Sequence, residues 1–526
     1  MFATVLVAPA MAPAASAGLL ATSPYIVATP GTLGVLLSQT DVLSVGGQVI
    51  QTLPAANGVE ANLTSFEAGA LSALPGIVVT PDVAVSVQDL PKGSTHPPSD
   101  AFLKQTGAAS AWSQGATGAG VNVAVLDTGI DPLPDFAGRL VGGVDLSGEG
   151  NAFHDSYGHG TFDAGLIAGN GASSNGKYEG EAPGAGLVSV KVAGASGTTD
   201  LATVIAGVGW TIDNRASLGI GVLNMSLGYQ PIESTAVDPL DTAVEAAWQS
   251  GIVVVVSAGN AGPFNGTILS PGDDPLVITV GALDDLGHEN PSNDTMTTFS
   301  SVGPTAPDGW FKPDLVTSGR SVVSLAAPGS TIDTQYPGAQ IGAGNFVGSG
   351  TSFSAAITSG AVADLLSADP SYGPNTVKGV LLASTLPGPV GNPFVDGHGD
   401  LDVQGALATA PVTLSQQPGI AAVAMGTTLP LTSSWTFSSW NPVNWSSLAW
   451  NSLAWNGSSW SGVSGNSLAW NGATWNSIAW NGDAWNSLAW NGAAWNSLAW
   501  NGSAWNSLAW NGSAWDSLAW NGSAWN

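Results

Sequence analysis

Residues 121–131 read VNVAVLDTGID. The run up to Leu126 is rich in valine and nearly uncharged, which is typical of a strand buried on both faces, and Asp127-Thr128-Gly129 ends it at a sharp turn. Similar runs follow at 187–192, 222–225, 252–256 and 277–280, with helical patterns between them at 160–168, 201–214 and 238–249. Strands that alternate with helices predict an α/β fold with a mostly parallel sheet covered on both faces by helices.

In such a fold, functional side chains belong at the carboxyl ends of strands and on the helices that follow. Asp127 follows the first strand, His159 stands at the start of a helix, and Ser352 opens an apolar helix that runs to about Ser367. Each alone has an ordinary structural explanation, as a turn carboxylate, a structural histidine or a helix-capping serine. Together they supply an acid, a base and a nucleophile in the order Asp, His, Ser.

A serine hydroxyl is a poor nucleophile at neutral pH until a neutral imidazole accepts its proton. A carboxylate is needed to orient that imidazole and to stabilise the imidazolium. The positive end of the helix beneath Ser352 also favours an oxyanion forming nearby. The sequence therefore predicts Asp127, His159 and Ser352 as a catalytic triad.

Three motifs resemble those of the subtilisin-like (S8) serine peptidases. These are residues 123–131 for the aspartate, His159-Gly160-Thr161 with Ala164-Gly165 for the histidine, and Gly350-Thr351-Ser352 for the serine. The order of the three residues is also the subtilisin order. The resemblance covers about residues 110–410. It implies a subtilisin-like three-layer sandwich and a serine endopeptidase that hydrolyses peptide bonds through an acyl-enzyme.

Two further segments resemble substrate-binding parts of the family. The first, Asn224–Gly228, implies that Ser226, Leu227 and Gly228 pair with the substrate backbone and wall the S1 pocket, although the residues alone suggest only a buried strand and a turn. The second is the oxyanion-hole segment, which implies that Asn260 donates its amide to the tetrahedral intermediate. Its preceding residues, Ser257, Ala258 and Gly259, are then expected to bind substrate.

Three positions depart from the family pattern. Phe162 and Asp163 stand where a His-Val pair is common, and we expect them to alter packing or the S2 rim. Ala356 stands where a proline is usual, four residues after Ser352. We expect alanine to be tolerated there, because proline in a first helical turn only fixes φ and removes an N–H that needs no partner.

Composition divides the chain into five parts. An apolar segment, 1–17, ends in Ala15-Ser16-Ala17, a small-x-small pattern that predicts a secretory signal and a secreted or surface-associated protein. Residues 18–97 resemble the family's α+β propeptide, with an apolar run at 41–49, a helix over 62–73 and strands at 77–79 and 83–85. The Pro- and Gly-rich linker at 91–98 that ends this part predicts autoprocessing of a zymogen. The peptidase domain (98–411), a linker (412–429) and a Trp-Asn repeat tract (430–526) follow.

Charge and cysteine content restrict the partners. There are 37 acidic and 9 basic side chains and no cysteine, which excludes disulfides and thiolate zinc sites and makes nucleic acid a poor partner. No transmembrane span is predicted. Proteins and peptides are the expected substrates. The chemistry needs no cofactor, and a structural calcium ion is a candidate near Asp135 and the oxygen-rich loop 170–180.

In the repeat tract a tryptophan recurs every five residues from Trp435 to Trp525, except at Gly465, within a ten-residue repeat. This period predicts a β-solenoid-like stack, with disorder as the alternative. The rings are candidates for contact with cell-wall polysaccharide or peptidoglycan or for self-association, and a passive spacer is the third interpretation.

A surface adhesin with an inactive peptidase scaffold is the rival function for the whole chain. The intact set of Asp127, His159, Ser352 and Asn260 argues against it, because a scaffold has no need of all four groups.

Overall fold

The computed structural model describes residues 21–87, 98–342, 344–412 and 414, together with short strands between 453 and 520. The predicted signal segment (1–17), the linker at 91–98 apart from its last residue, and the linker at 412–429 apart from residues 412 and 414 lie outside the described residues.

Residues 22–81 build a small α+β unit. Its elements are β1 (Thr22–Ala28), α1 (Gly34–Val45), β2 (Gln48–Leu53), β3 (Gly58–Thr64), α2 (Ser65–Ser72) and β4 (Val78–Pro81), and a further strand, β5 (Ala84–Val87), follows them. The first four strands form an antiparallel sheet in the order β2-β3-β1-β4. The unit has an apolar core of its own, which includes Val27, Val42, Val59, Leu63 and Leu71.

One local prediction in this unit is wrong in part. The helix expected over 62–73 begins only at Ser65, because Thr64 and Glu67 form a capping box. The Thr64 hydroxyl accepts from the backbone N–H of Glu67 at 3.2 Å, and the Glu67 carboxylate accepts from the backbone N–H of Thr64 at 2.7 Å. The apolar run at 41–49 is shared between α1 and β2, because Gly46, with φ 95°, ends the helix.

Residues 98–412 form the large domain. Its elements in chain order are α3 (Phe102–Gln105), α4 (Ala108–Ser113), β6 (Asn122–Asp127), β7 (Leu140–Asp145), α5 (His159–Ala168), β8 (Gly186–Lys191), β9 (Thr198–Asp200), α6 (Leu201–Leu218), β10 (Ile220–Met225), β11 (Leu227–Gly228), α7 (Pro239–Gln249), β12 (Val253–Ser257), β13 (Ile278–Asp284), β14 (Thr295–Met296), β15 (Leu315–Ser318), β16 (Val322–Leu325), α8 (Thr331–Gln335), β17 (Gln340–Ile341), β18 (Asn345–Gly348), α9 (Thr351–Ala368), α10 (Pro374–Ser384) and α11 (Val403–Ala408).

The central sheet of this domain has the order β14-β13-β12-β10-β6-β8-β7, with β15 also paired to β13. Only the β13–β14 pair is antiparallel. Helices α5 and α9 pack against each other and on the sheet, and α6 and α7 form a second packed pair on it. The predicted three-layer α/β sandwich with a mostly parallel sheet is therefore confirmed.

The burial of the middle strands explains their composition. In β12, four consecutive valines and the final serine are all buried, since helices cover both faces of the sheet. Helix α9 is likewise buried along nearly its whole length, including Ala356. The predicted strands and helices of this domain agree with the structure apart from their ends.

In the repeat tract, the described backbone forms the strands β19 (Leu453–Trp455), β20 (Gly465–Asn471), β21 (Thr474–Trp475), β22 (Ile478–Asn481), β23 (Ala484–Asn491), β24 (Ala494–Trp495), β25 (Leu498–Asn501), β26 (Ala504–Trp505), β27 (Leu508–Asn511), β28 (Ala514–Trp515) and β29 (Leu518–Trp520). All their pairs are parallel. From β20 onward the paired residues lie twenty positions apart, as in Trp470 with Trp490 and Trp490 with Trp510. Successive rungs of a β-solenoid pair at a constant offset in this way.

Among the helices that the structure describes, none combines the length and the apolar character that crossing a membrane requires.

Candidate active site

Asp127 ends the central strand β6 and is fully buried. Its carboxylate accepts a hydrogen bond from the backbone N–H of Thr128 at 2.7 Å. It also lies 3.0 and 2.9 Å, through its two oxygens, from Nδ1 of His159. Because a carboxylate only accepts, this contact keeps a proton on Nδ1 and leaves Nε2 as the basic nitrogen of the neutral ring.

His159 is the first residue of α5, and Asp155 closes the turn before it. The Asp155 carboxylate accepts from the backbone N–H groups of Gly158 and Thr161, each at 2.7 Å. Gly158 has φ 108°, a conformation that favours glycine. The position of the imidazole is therefore fixed by the start of the helix itself.

Gly160 lets α5 approach the turn after β6. A Cβ atom at this position would lie 2.2 Å from the carbonyl oxygen of Gly129 and 3.2 Å from the side chain of Asp127. Any larger residue would force the helix away from the strand, so the contact between His159 and Asp127 requires this glycine.

Ser352 lies in the first turn of α9 and is buried. Its hydroxyl donates to the carbonyl of Ser226 at 3.3 Å. Nε2 of His159 is buried and has no hydrogen-bond partner among the described residues. The ring of His159 packs 5.7 Å from that of Phe353, the residue after Ser352. The ring of His159 thus packs against the residue that follows Ser352, while the Ser352 hydroxyl is directed to the carbonyl of Ser226.

Asn260 is held from one side only. Its Oδ1 accepts from the backbone N–H of Thr351 at 2.9 Å and from the Thr351 hydroxyl at 3.0 Å. The same hydroxyl accepts from the backbone N–H of Gly259 at 3.1 Å. The Asn260 Nδ2 is buried and has no partner in the described part of the chain. This amide is therefore a fixed donor beside Ser352.

Phe162 packs as expected, with its ring 4.3 Å from that of Phe353. Asp163, which was expected to alter packing or the S2 rim, lies close to the Asp127–His159 pair. This side chain is fully buried, and ligand atoms of Asp127, His159 and Asp163 all lie within 4.8 Å of one another. The spacing of four residues from His159 on one helix face was the signal for it.

The carboxylates around His159 control its ionisation. Burial lowers the pKa of His159, but Asp127, Asp163 and Asp155 outweigh this effect and raise the pKa to about 9. Burial raises the pKa of Asp163 to about 7, against the lowering effect of His159. The neutral imidazole that catalysis needs therefore becomes more abundant as the pH rises through the alkaline range.

Strand β5 lies between β9 and β11 and pairs with both in the antiparallel sense. Val87 stands opposite Leu227, and Ser86 stands opposite Gly228. The backbone N–H of Val87 also donates to the carbonyl of Gly197 at 3.0 Å. The strand expected at 83–85 thus leaves the small domain's sheet and adds to the segment predicted to bind substrate.

The other predicted substrate-binding residues follow β12. Ser257 ends this strand, and the backbone N–H of Ala258 donates to the carbonyl of Val280 at 2.9 Å. Gly259 has φ 106°, which turns the chain toward Asn260. Contact of these residues with substrate stays a prediction.

The residues near Asp135 do not fit a calcium ion. The Asp135 carboxylate is buried and already accepts from the backbone N–H of Ser173, at 3.2 and 3.1 Å, and from the Ser173 hydroxyl. Arg139 donates to the carbonyl of Asp135, so a positive charge stands beside the site. A cation would have to displace Ser173 and face this guanidinium.

Asp127, His159 and Asp163 are the one group among the described residues whose ligand atoms converge as closely as a metal ion requires. Nδ1 of His159 and both oxygens of Asp127 are already occupied by their contact with each other.

Comparison with known proteins agrees with this geometry. Residues 118–406 match the model of the subtilase family. The chain is 42% identical to serine protease AprX of Bacillus subtilis over 56% of this chain and 67% of that protein. It is 33% identical to subtilisin NAT of Bacillus subtilis subsp. natto over 73% and 90% of the two chains.

A solved structure with a similar fold is that of fervidolysin from Fervidobacterium pennivorans, which is described as a keratinolytic enzyme related to subtilisin. The match has a TM-score of 0.57 and 24% sequence identity, and it covers 75% of this chain. The match spans 62% of the fervidolysin chain, less than two thirds of its length. The order of the strands, the hydrogen bond between Asp127 and His159, and these matches agree: the chain belongs to the subtilase family of serine peptidases.

Proposed function

We propose that this protein is a secreted serine endopeptidase in which Asp127, His159 and Ser352 form the triad and Asn260 supplies the side-chain donor of the oxyanion hole. One observation carries the proposal. Two buried polar atoms beside the Ser352 turn, His159 Nε2 and Asn260 Nδ2, have no partner among the described residues. Unpaired buried polar groups are costly, so a fold retains them where a reacting group will satisfy them.

The reaction follows from these positions. The Ser352 hydroxyl turns from Ser226 to His159, gives its proton to Nε2, and its oxygen bonds to the carbonyl carbon of the substrate. Asp127 stabilises the imidazolium that forms, and Asn260 Nδ2 donates to the oxyanion. The C–N bond then breaks as the imidazolium protonates the leaving amine. Water hydrolyses the acyl-enzyme by the same steps and restores Ser352.

The position of strand β5 supports the proposal that the protein is made as a zymogen. The strand occupies the position that an extended substrate would take beside Leu227 and Gly228. Two further contacts hold the small domain in place. Thr80 donates to Glu233 at 2.9 Å, and the Asp82 carboxylate accepts from the backbone N–H of Ala202, at the start of α6, at 3.0 Å. We infer that residues 18–97 inhibit the enzyme until it cleaves its own chain after Val87.

A fluorophosphonate probe tests the activity of the processed protein. We expect it to label the wild type and Ser354→Ala, whose hydroxyl donates to the carbonyls of Thr317 and Ser318 away from the site. Ser352→Ala should not be labelled, because its nucleophile is absent. Labelling of Ser352→Ala, or none of the processed wild type, would count against the proposal and favour the inactive scaffold.

The N-terminal sequence of the same samples tests autoprocessing. The wild type should begin between residues 88 and 98, and Ser352→Ala should keep its small domain. Processing of Ser352→Ala to the same new terminus, in purified protein, would show that another protease makes the cut.

Asn260→Ala tests the oxyanion hole. Loss of the amide donor should lower kcat by about 10² to 10³ with little change in KM, because the donor acts on the transition state. Asn265→Ala, at an exposed position in the following loop, should keep kcat. Steady-state kinetics on a peptide p-nitroanilide decide this, and equal kcat values for the two variants would contradict the assignment.

We propose that the repeat tract binds cell-wall glycans. The strand register places tryptophans in columns, such as Trp470, Trp490 and Trp510 in one and Trp480, Trp500 and Trp520 in another. Strand spacing sets about 4.8 Å between positions in a column. Flat aromatic rings are suited to stacking on sugar rings.

A sedimentation assay tests this binding. Ser352→Ala protein of full length should be retained on cell walls, and the same protein ending at residue 412 should not. Equal release of both proteins would contradict glycan binding. In that case light scattering on the full-length protein would show whether the tract self-associates. If the protein is monomeric, the interpretation of the tract as a passive spacer remains.

A further inference from the structure

Asp163 is a charged residue in a helix turn that is otherwise apolar. It lies one turn after His159 on α5, where every residue is buried. Its Oδ2 accepts from Nδ2 of Asn224 at 3.1 Å, and its Oδ1 has no partner among the described residues. A bare carboxylate oxygen in a dry interior is strongly unfavourable unless a positive charge faces it.

The catalytic cycle itself produces such a charge. His159 becomes an imidazolium each time it accepts the proton of Ser352, and carboxylate and ring atoms of Asp163 and His159 lie within 4.8 Å. At this separation an opposite charge changes a pKa by about one to three units. Asp127 also lies within that distance of both, so the ring faces two carboxylates where a triad needs one.

We propose that Asp163 is a positioning residue for catalysis: it stabilises the His159 imidazolium as a second carboxylate and thereby raises the lower pH limit of the enzyme's activity. The inference rests on the peptidase function proposed above. It assigns a function to a residue that the sequence placed in packing or at the S2 rim.

Four charged groups surround His159, on β6, on α5, in the turn before α5 and on α8. Asp127 ends β6, Asp155 precedes α5, Asp163 lies on α5 itself, and Asp333 on α8 lines the pocket that borders the ring. Asp155 is already held by two backbone N–H groups and by the Thr128 hydroxyl at 2.7 Å. Asp333 is half-buried in α8, and its carboxylate accepts from the backbone N–H of Gly329 at 2.9 Å and from the side-chain amide of Gln340. Among these four carboxylates, Asp163 is therefore the one with an oxygen that has no hydrogen-bond partner among the described residues.

The same residue is connected to the nucleophile. Nδ2 of Asn224 contacts both Asp163 and, at 3.1 Å, the hydroxyl of Ser226. That hydroxyl donates to the carbonyl of Ser352 at 3.2 Å. A change at residue 163 should therefore retain a polar oxygen toward Asn224, so that only the charge is tested.

The pKa directions agree with this proposal, since Asp163 contributes to the raised pKa of His159. Removing the carboxylate should lower that pKa, so that neutral imidazole persists to lower pH. Below its own pKa of about 7, Asp163 itself takes a proton and its effect is lost.

Asp163→Asn is the direct test, because the amide retains an oxygen for Asn224. We expect the acidic limb of kcat/KM, measured on an uncharged peptide substrate, to move down by about one to three pH units. Two units below the wild-type midpoint, kcat/KM relative to the alkaline plateau should rise about tenfold or more. The matched control is Asp364→Asn, which removes a buried carboxyl near Glu181 and Trp112 and should leave the limb unchanged.

The proposal would be overturned if Asp163→Asn were active and its kcat/KM kept the acidic limb of the wild type. It would also be overturned if the acidic limb of Asp364→Asn moved by the same amount as that of Asp163→Asn. A second measurement needs no activity. It follows the NMR titration of the ¹⁵N-labelled ring nitrogens of His159 in the Ser352→Ala background, and the signals are assigned by their loss in His159→Gln. These nitrogens should titrate at lower pH once Asp163→Asn is added.

The second measurement also tests the proposal if Asp163→Asn does not fold. His159 of the Ser352→Ala protein alone should then show two titration steps, its own and that of Asp163, and a single step would overturn the proposal. An inactive wild type with a two-step titration would refute the peptidase function, and with it the role of Asp163 in catalysis. An active wild type with a single-step titration would refute this inference alone.

Discussion

The hydrogen bond between Asp127 and Nδ1 of His159 is the contact on which the rest of the site depends. It requires that β6 end in a carboxylate at the edge of the sheet. It also requires that His159, the first residue of α5, place Nδ1 of its ring 2.9 to 3.0 Å from the carboxylate oxygens. Gly160 permits that approach, because a Cβ atom would meet the backbone of the β6 turn. The contact also sets the tautomer of the ring, and so leaves Nε2 as the atom that is proposed to take the proton of Ser352.

A second constraint is that the site retains polar atoms without partners. Nε2 of His159, Nδ2 of Asn260 and Oδ1 of Asp163 are all buried and unpaired in the described structure. Such atoms reduce the free energy of unfolding. The large apolar core of the domain can offset this loss. Under the proposed mechanism each atom gains a partner during the reaction: Nε2 the proton of Ser352, Nδ2 the oxyanion and Oδ1 the charge of the imidazolium. The cost to stability is then consistent with transition-state stabilisation. In the proposed zymogen, the pairing of β5 with β11 closes the site to substrate until the chain is cleaved.

The sequence predicted most of the fold and the four proposed catalytic groups, because these depend on local patterns. Buried parallel strands appear as unbroken apolar runs, and Asp127, His159 and Ser352 each stand at the end of such a run or the start of a helix. The pairing of β5 with β11 was not predictable, since it joins positions about 140 residues apart. The importance of Asp163 depends on how closely α5 approaches β6, which no local pattern shows. The five-residue tryptophan period was visible, but the twenty-residue offset of the paired strands required the backbone.

The central claim is that Ser352, His159 and Asn260 act on one tetrahedral centre. A crystal structure of the processed enzyme with a peptide boronic acid tests this claim most directly, because the boron adduct reproduces the geometry of the intermediate. We expect a covalent bond from Ser352 Oγ to boron, with one boron oxygen about 2.7 to 3.1 Å from Asn260 Nδ2 and the ring of His159 hydrogen-bonded to the adduct. An adduct on another residue, or one whose oxygens do not contact Asn260, would contradict the account.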